Sequence, residues 1–257
     1  MKKEQMKNIA IAIVLFISIG QVRAQENYTQ SLQGVKNAVI GSASGVILKS
    51  HGKNELLIIG DGRKMPEKAK GLKAVYAGGS DNTGYGVYIQ KEGGTLIIRN
   101  LKSAYTGTLE IFLPKNVNIK IEKSNLGKIV AEGFSSEIEA TTNVGNMTFR
   151  DVTGPIVAKT ATGEINIVFD KVSQNSPISL VSATGAIDVS LPSNTPANLE
   201  LKTTMGEIFT DFDIKFPVPD NNMKLVSGKR TIKTELNNGG VEISLRSSTG
   251  NIYLRKQ

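Results

Sequence analysis

A glycine followed by an alternating apolar strand recurs about every twenty residues through the later part of this 257-residue chain. The glycines are Gly107, Gly127, Gly145, Gly163, Gly185, Gly206, Gly228 and Gly250, with spacings of 20, 18, 18, 22, 21, 22 and 22. Two residues after each stand Leu109, Ile129, Met147, Ile165, Ile187, Ile208, Arg230 and Ile252. Four residues after stand Ile111, Ala131, Phe149, Ile167, Val189, Thr210, Ile232 and Leu254. Seven of eight are apolar at each offset, and the position before the first offset is polar in seven of eight. Self-similarity at a fixed period is the mark of stacked repeats. Alternation with period two inside each repeat makes the repeating unit a strand rather than a helix. The chain is therefore expected to be all-β: a single-domain, β-helix-like solenoid with coils of about 20 residues.

Glycine belongs at each corner because a short coil must turn sharply, and glycine accepts positive φ and close backbone approach. Half-coil turns are expected near Gly133, Gly154 and Gly240. A strand of four or five residues makes a face roughly 15 Å long at about 3.3 Å per residue, so two faces plus corners fit the period. The inward set is then the residues two and four past each glycine, stacked coil on coil. A longer echo of 78 residues relates Leu109–Asn116 (LEIFLPKN) to Ile187–Asn194 (IDVSLPSN). Proline lacks the ladder N–H, so Pro114 and Pro192 belong at strand ends. Residues 211–222 (DFDIKFPVPDNN) read as an excursion from one coil, with Phe212, Ile214 and Phe216 marking an edge strand.

Residues 1–24 read as a secretory signal peptide. Lys2, Lys3 and Lys7 precede an apolar run, Ile9–Ile19, with Val22 and Ala24 at the cleavage site. The run is too short to span a bilayer, and no other segment reaches transmembrane length. The protein is thus expected to be exported, to the periplasm, the outer surface or the medium. There is no cysteine, which excludes disulfides, thiolate metal sites and a cysteine nucleophile. Without the leader, 27 basic and 22 acidic residues leave +5, a mild charge with its basic residues scattered. That composition argues against nucleic acid as a partner and permits contact with anionic envelope polymers.

Residues 25–106 are expected to form an N-terminal β cap, and 107–257 the regular repeats of the same continuous domain. Residues 25–34 read as a polar lead-in. Strands are expected at 46–48 and 56–59 around a turn at 51–54, and at 87–90 and 95–99. Residues 60–74 read as a loop or one short helical turn. Ile252–Leu254 reads as a core strand, so the last coil is expected to leave an unpaired strand edge blunted by Arg255 and Lys256. Weak self-association through an end or edge follows from that expectation.

Chemistry is sparse. The single histidine, His51, lies in a predicted turn with no nucleophile or orienting partner nearby. Glycoside hydrolysis needs two carboxylates facing one groove. Glu110, Glu164, Asp188 and Glu207 are the candidates on a solvent-facing row, interspersed with lysine and asparagine as on a solvated face. Asp211, Asp213 and Asp220 match no compact calcium loop, and Gly78–Asp81 resembles a calcium-binding turn that does not repeat. No cofactor or metal is implied. The remaining candidate is aromatic: Tyr76, Tyr85, Tyr88 and Tyr105 cluster with Lys73 and Arg99. Aromatic faces beside cationic donors suit a glycan. Capping the open end of the solenoid core is the alternative role for the same tyrosines.

The Leu-Pro-x-Asn…Gly-x-Ile runs, Thr142–Met147 (TNVGNM), Asp151–Ile156 (DVTGPI) and Ser248–Lys256 (STGNIYLRK) resemble the adhesin-like β-strand repeat family. The leader and the stretch from Lys70 to Gly84 are similar to Bacteroidetes members. The resemblance spans nearly all of the mature chain and implies an exported β-solenoid with no recognised catalytic residues. The expectation is a non-enzymatic envelope or cell-surface protein, an adhesin-like scaffold that binds glycans or other envelope polymers. A polysaccharide-active enzyme on a β-helix and a purely structural, stress-linked envelope component are the alternatives.

Overall fold

The computed structural model describes residues 27–42, 45–59, 67–72, 75–76, 78–101, 109–214 and 230–257. The leader, Gly107, Gly228, Lys73, Tyr105, Phe216 and Asp220 lie outside the described residues. The chain enters with β1 (Tyr28–Ser31), β2 (Asn37–Gly41), β3 (Val46–His51) and β4 (Glu55–Ile59). A 3-10 turn at Glu67–Ala69 precedes two small strands, β5 (Val75–Tyr76) and β6 (Gly79–Ser80). Next come β7 (Val87–Glu92), β8 (Thr95–Asn100), β9 (Leu109–Pro114), β10 (Asn118–Leu126), β11 (Ile129–Glu132) and β12 (Ile138–Val144). They are followed by β13 (Met147–Val152), β14 (Ile156–Thr162), β15 (Ile165–Phe169), β16 (Ile178–Thr184) and β17 (Ile187–Leu191). The last are β18 (Ala197–Thr203), β19 (Ile208–Thr210), β20 (Arg230–Leu236), β21 (Val241–Ser247) and β22 (Ile252–Lys256).

These strands form two facing, mostly parallel sheets. The front sheet runs β1-β4-β9-β3-β11-β13-β15-β17-β22-β19, and the back sheet β20-β18-β21-β16-β14-β12-β10-β2-β8-β7. One back strand, a glycine corner and one front strand make a coil, as the period requires. Pro114 and Pro192 fall at the ends of β9 and β17, and Gly133, Gly154 and Gly240 lie in half-coil turns.

The ladders form at the expected offsets. Ile129, Met147, Ile165, Ile187, Ile252 and Ile208 are register partners in the front sheet, and so are Ala131, Phe149, Ile167, Val189, Leu254 and Thr210. All are buried until the last coil, where Ile208 is half-buried and Thr210 is exposed because no strand pairs beyond β19 among the described residues. The back sheet contributes Ala38, Ile119, Ile138, Ile156, Ile178, Ile243 and Leu199 from the opposite side. Phe134, Phe149 and Phe169 fill the widest gaps and are fully buried. Each such aliphatic side chain contributes about 1.5–3 kcal/mol by leaving water. The interior is a solid hydrocarbon core, and no buried side-chain polar atom among the described residues lacks a partner.

The order of coils in space departs from their order in the chain. Along the stack they run β8/β9, β2/β3, β10/β11, β12/β13, β14/β15, β16/β17, β21/β22 and β18/β19. At each end, two strands joined by a short turn bracket a third. β3 and β4 flank β9, and β20 and β21 flank β18. The second turn is built from three consecutive left-handed residues, Asn237, Asn238 and Gly239, at φ 49, 69 and 78°. The Asn237 amide donates to the carbonyls of Ser193 and Thr195 at 3.1 and 2.8 Å, which ties the arch to the chain it crosses. At the other end His51 Nε2–H donates to the Glu55 carbonyl at 2.7 Å and closes the first arch.

Four expectations are corrected. The polar lead-in contains a strand, β1, because an edge strand pairing antiparallel with β4 needs no apolar alternation. Residues 230–236 do not repeat the corner pattern; β20 runs antiparallel to β18 in the back sheet. Arg230, the one polar residue at the first offset, was the departure that signalled it. Among the described residues β19 ends at Thr210, and Phe212 and Ile214 pack on the core outside any strand, whereas Phe216 lies outside the described residues. The last strand, β22, is not an edge: it pairs with β17 on one side and β19 on the other. In the N-terminal region β1, β4 and β7 run antiparallel to their neighbours, and β2 and β3 form a coil of the stack.

The corner glycines touch one another. A Cβ at Gly145 would lie 2.0 Å from the Gly127 carbonyl oxygen, and one at Gly163 2.1 Å from that of Gly145. The same contact recurs from Gly185 to Gly163, Gly250 to Gly185, and Gly206 to Gly250, so the glycine ladder follows spatial rather than chain order. Beside it stands a ladder of buried hydroxyls. Thr160, Ser182, Ser247 and Thr203 donate to the carbonyls of Gly145, Gly163, Gly185 and Gly250, at 2.9–3.3 Å. Thr203 and Ser247 also accept the N–H of Gly206 and Gly250.

Candidate functional site

Apolar side chains pack the described core, and the candidate polar and aromatic groups lie on the outer faces and at the ends. The N-terminal end holds the tyrosines. A tightly bonded loop, Asp81–Val87, positions them. Asp81 Oδ1 accepts from Thr83 N, Thr83 Oγ1 and Gly84 N, and Oδ2 accepts from Gly86 N, all within 2.8–3.0 Å. Partial burial pushes the Asp81 carboxyl upward, but these four hydrogen bonds outweigh it and hold the group below the usual carboxylate range. The Asn82 side chain pairs with Ile89 in both directions, donating to its carbonyl at 2.7 Å and accepting from its N–H at 2.9 Å. A loop so satisfied is a rigid platform.

The platform separates the candidates. Tyr85 is 9% exposed and belongs to the core, where it closes the end of the stack. Tyr88 points outward and stands directly opposite Arg99 across the β7–β8 pair. The guanidinium carbon lies 5.9 Å from the ring centre, and Tyr88 OH donates to Gln90 Oε1 at 2.5 Å. Gly79 lies against the other part of the ring, since a Cβ there would be 3.8 Å from Tyr88 Cγ. Tyr76 pairs with Gly79 in the β5–β6 hairpin and is half-buried. Tyr88 and Arg99 thus come together, with Tyr76 on the hairpin whose Gly79 touches the Tyr88 ring; Tyr85 does not join them, and Lys73 and Tyr105 lie outside the described residues.

The carboxylate candidates do not share a row. Glu164 and Glu207 stand one residue past a corner glycine, whereas Glu110 and Asp188 stand three past. Glu110 on β9 and Asp188 on β17 are five strand places apart, about 24 Å at 4.8 Å per strand, well outside the 5–10 Å of paired catalytic carboxyls. Each carries an ion pair instead: Lys49 Nζ lies 2.6 Å from Glu110, and Arg255 forks onto Asp188 at 2.7 and 2.8 Å. Hydrogen bonding and charge from those carboxylates raise the Lys49 and Arg255 pKa values above their ordinary range. Asp211 caps the Lys256 N–H and Asp213 faces the Lys256 ammonium, so these two are engaged as well. No cluster of three or more His, Cys, Asp or Glu side chains suited to a metal occurs among the described residues.

Sequence reasoning missed an aromatic group at the opposite end. Phe209 and Tyr253 stack at 5.3 Å and 12°, with the Arg255 guanidinium 5.3 Å from the Tyr253 ring. The signal was present: Asp188, Tyr253 and Phe209 all stand three residues past a corner glycine. Only the coil order, which places Gly250 between Gly185 and Gly206, makes them neighbours.

Residues 86–255 match the model of the Toastrack DUF4097 family. The chain belongs to this family. The match bears out the repeat-family resemblance and the β-solenoid fold, and it begins at the loop that presents Tyr88. Two solved structures align with most of the chain. One is a candidate cell adhesion protein from Clostridium sporogenes, 10% identical, with a TM-score of 0.41, covering 90% of this chain and 99% of the other. The other is a candidate adhesin from Bacteroides fragilis, 12% identical, with a TM-score of 0.39, covering 90% and 96%. No curated protein matches the chain. No helix among the described residues is long and apolar enough to cross a membrane.

Proposed function

We propose that this Toastrack protein is an exported, non-enzymatic scaffold of the cell envelope or cell surface that binds glycans with its N-terminal end. The observation that carries this reading is the outward-facing Tyr88 ring, held by Gln90 and backed by Arg99 on a rigid two-stranded edge beside Tyr76. An aromatic face flanked by a cation and amide groups offers both stacking and hydrogen bonding to a sugar, including an acidic one. Lys73 and Tyr105 complete the candidate set from adjacent stretches of chain. The basic leader and short apolar run of residues 1–24 support export. The engagement of Glu110 and Asp188 in ion pairs, about 24 Å apart, supports binding over hydrolysis.

The test is a glycan array probed with the purified protein over a salt titration, alongside Tyr88→Ala and Arg99→Ala. Binding that survives moderate salt and is lost in Tyr88→Ala fits the proposal. Absence of binding, or binding abolished by salt alone, sinks it and leaves a structural envelope role. Tyr85 is unsuitable as a probe because its substitution opens the core.

A further inference from the structure

The C-terminal end of the front sheet carries a second arrangement with its own chemistry. In the outer row of that sheet, Asn166, Asp188, Tyr253 and Phe209 are successive register partners on β15, β17, β22 and β19. Phe209 covers one face of Tyr253, and no strand pairs beyond β19 among the described residues. The Phe209 ring is 44% exposed at the end of the stack. Polar groups surround the stacked pair. Arg255 forks onto Asp188 through Nε and Nη2, which leaves Nη1 to donate outward. Asn251 donates to Tyr253 OH at 3.0 Å and fixes the direction of that hydroxyl.

We propose that Phe209, Tyr253, Arg255 and Asp188 form a subsite for a neutral pyranose, distinct from the Tyr88 end. A pyranose presents an apolar C–H face and a rim of hydroxyls, which matches one exposed ring bordered by a guanidinium, a carboxylate and a phenol. The apolar strip is narrow. Phe209 and Met205 are its exposed large apolar residues, far less than the roughly 800 Å² per partner that a stable protein interface buries. Charge selects the ligand further. Asp188 and Asp211 act on Arg255, and Asp211 and Asp213 hold Lys256, three negative groups against two positive ones. An acidic sugar is repelled here, whereas the Tyr88–Arg99 end favours one. The subsite stands on residues that play no part in the proposal for the N-terminal end.

The experiment is an NMR titration of the full protein carrying 13C-labelled phenylalanine, with cellotriose, maltotriose and chitotriose as neutral probes and trigalacturonate as the acidic one. The expected result is a saturable shift of the Phe209 ring signals with at least one neutral trisaccharide and none with trigalacturonate. Phe209→Ala is expected to weaken that binding about tenfold, a change of about 1.4 kcal/mol. Tyr88→Ala is expected to leave it unchanged. Phe209 lies on the surface, so the variant keeps its fold, which circular dichroism checks. Three results would each overturn the subsite: no Phe209 shift with any neutral probe, binding unaffected by Phe209→Ala, or shifts that follow protein concentration without sugar. The last would assign this edge to self-association instead.

Discussion

Replacing Gly163 with alanine tests the corner argument directly. Gly163 sits at φ 147°, a conformation that costs a side-chain-bearing residue on the order of 1–3 kcal/mol. Its added Cβ would lie 2.1 Å from Gly145 O, 2.6 Å from Gly145 C and 3.1 Å from Asn146 N, all backbone atoms of the preceding coil. No side chain can swing away, so the two coils must part by about 1 Å at the corner. That displacement stretches Gly145 N–H to Thr162 O at 2.8 Å and Thr160 Oγ1 to Gly145 O at 3.3 Å. Weakening two such bonds, one of them buried, costs about 1 kcal/mol each. The sum is about 3–5 kcal/mol. With a urea slope of about 2–3 kcal/mol per molar, the midpoint falls by about 1–2.5 M. Gly52→Ala is the control, since its Cβ would meet nothing within 4 Å and its φ is ordinary. It should change stability by less than about 1 kcal/mol. Urea titration followed by circular dichroism reads both. A Gly163→Ala midpoint within error of the Gly52→Ala midpoint would refute the claim that backbone contact between coils requires glycine.

Ile187→Ala and Ile165→Ala each delete fully buried ladder side chains and should cost about 2–5 kcal/mol in the same titration. Ser182→Ala removes the donor to Gly163 O and leaves that half-buried carbonyl without it. A loss of about 1–3 kcal/mol is expected, with Ser182→Thr restoring much of it. Asp81 has a lowered native pKa, so its stabilising effect is complete above the ordinary carboxylate value of about 3.9. The effect disappears as pH falls through the lower native value; the melting-temperature gap between wild type and Asp81→Asn should be widest near neutrality and close in acid. Asn237→Ala loses two hydrogen bonds to the chain beneath the arch and should lower the melting temperature, with unfolding first detected at β20 by hydrogen exchange.

Much of the fold was legible because its physics is local. A strand with one face in hydrocarbon must alternate, and a corner where backbones touch must be glycine; both requirements leave fixed offsets in the sequence. Pro114 and Pro192 could be placed for the same reason. The hydroxyl ladder was harder to see, since Thr160, Ser182, Ser247 and Thr203 look like ordinary strand residues until a carbonyl of the neighbouring coil is above them. The tyrosine cluster was legible as proximity in sequence. The structure divided it, because Tyr85 and Tyr88 differ by three residues on a turn and strand start, and one faces the core while the other faces out.

Coil order was not legible, and the reason lies in the repeat itself. The described corners are alike, most with a glycine, a buried hydroxyl and an apolar pair, so the surface of one coil accepts another about equally well. The ladders cannot choose whether Gly206 or Gly250 stacks on Gly185. The choice must come from the connections, which are not repetitive. The next described strand after β19 is β20, antiparallel to β18. Once β20 closes that outer edge of the back sheet, the arch at Asn237–Gly239 carries the chain across the start of β18 to the inner side. Only the space beside β16 is then open to β21, and β22 must follow beside β17. The same logic holds at the other end, where β3 and β4 straddle β9. Each end of the stack is therefore closed by a bracket rather than by its last coil. β22 is shielded on both sides, and among the described residues β19 is left as the edge that carries the exposed Phe209.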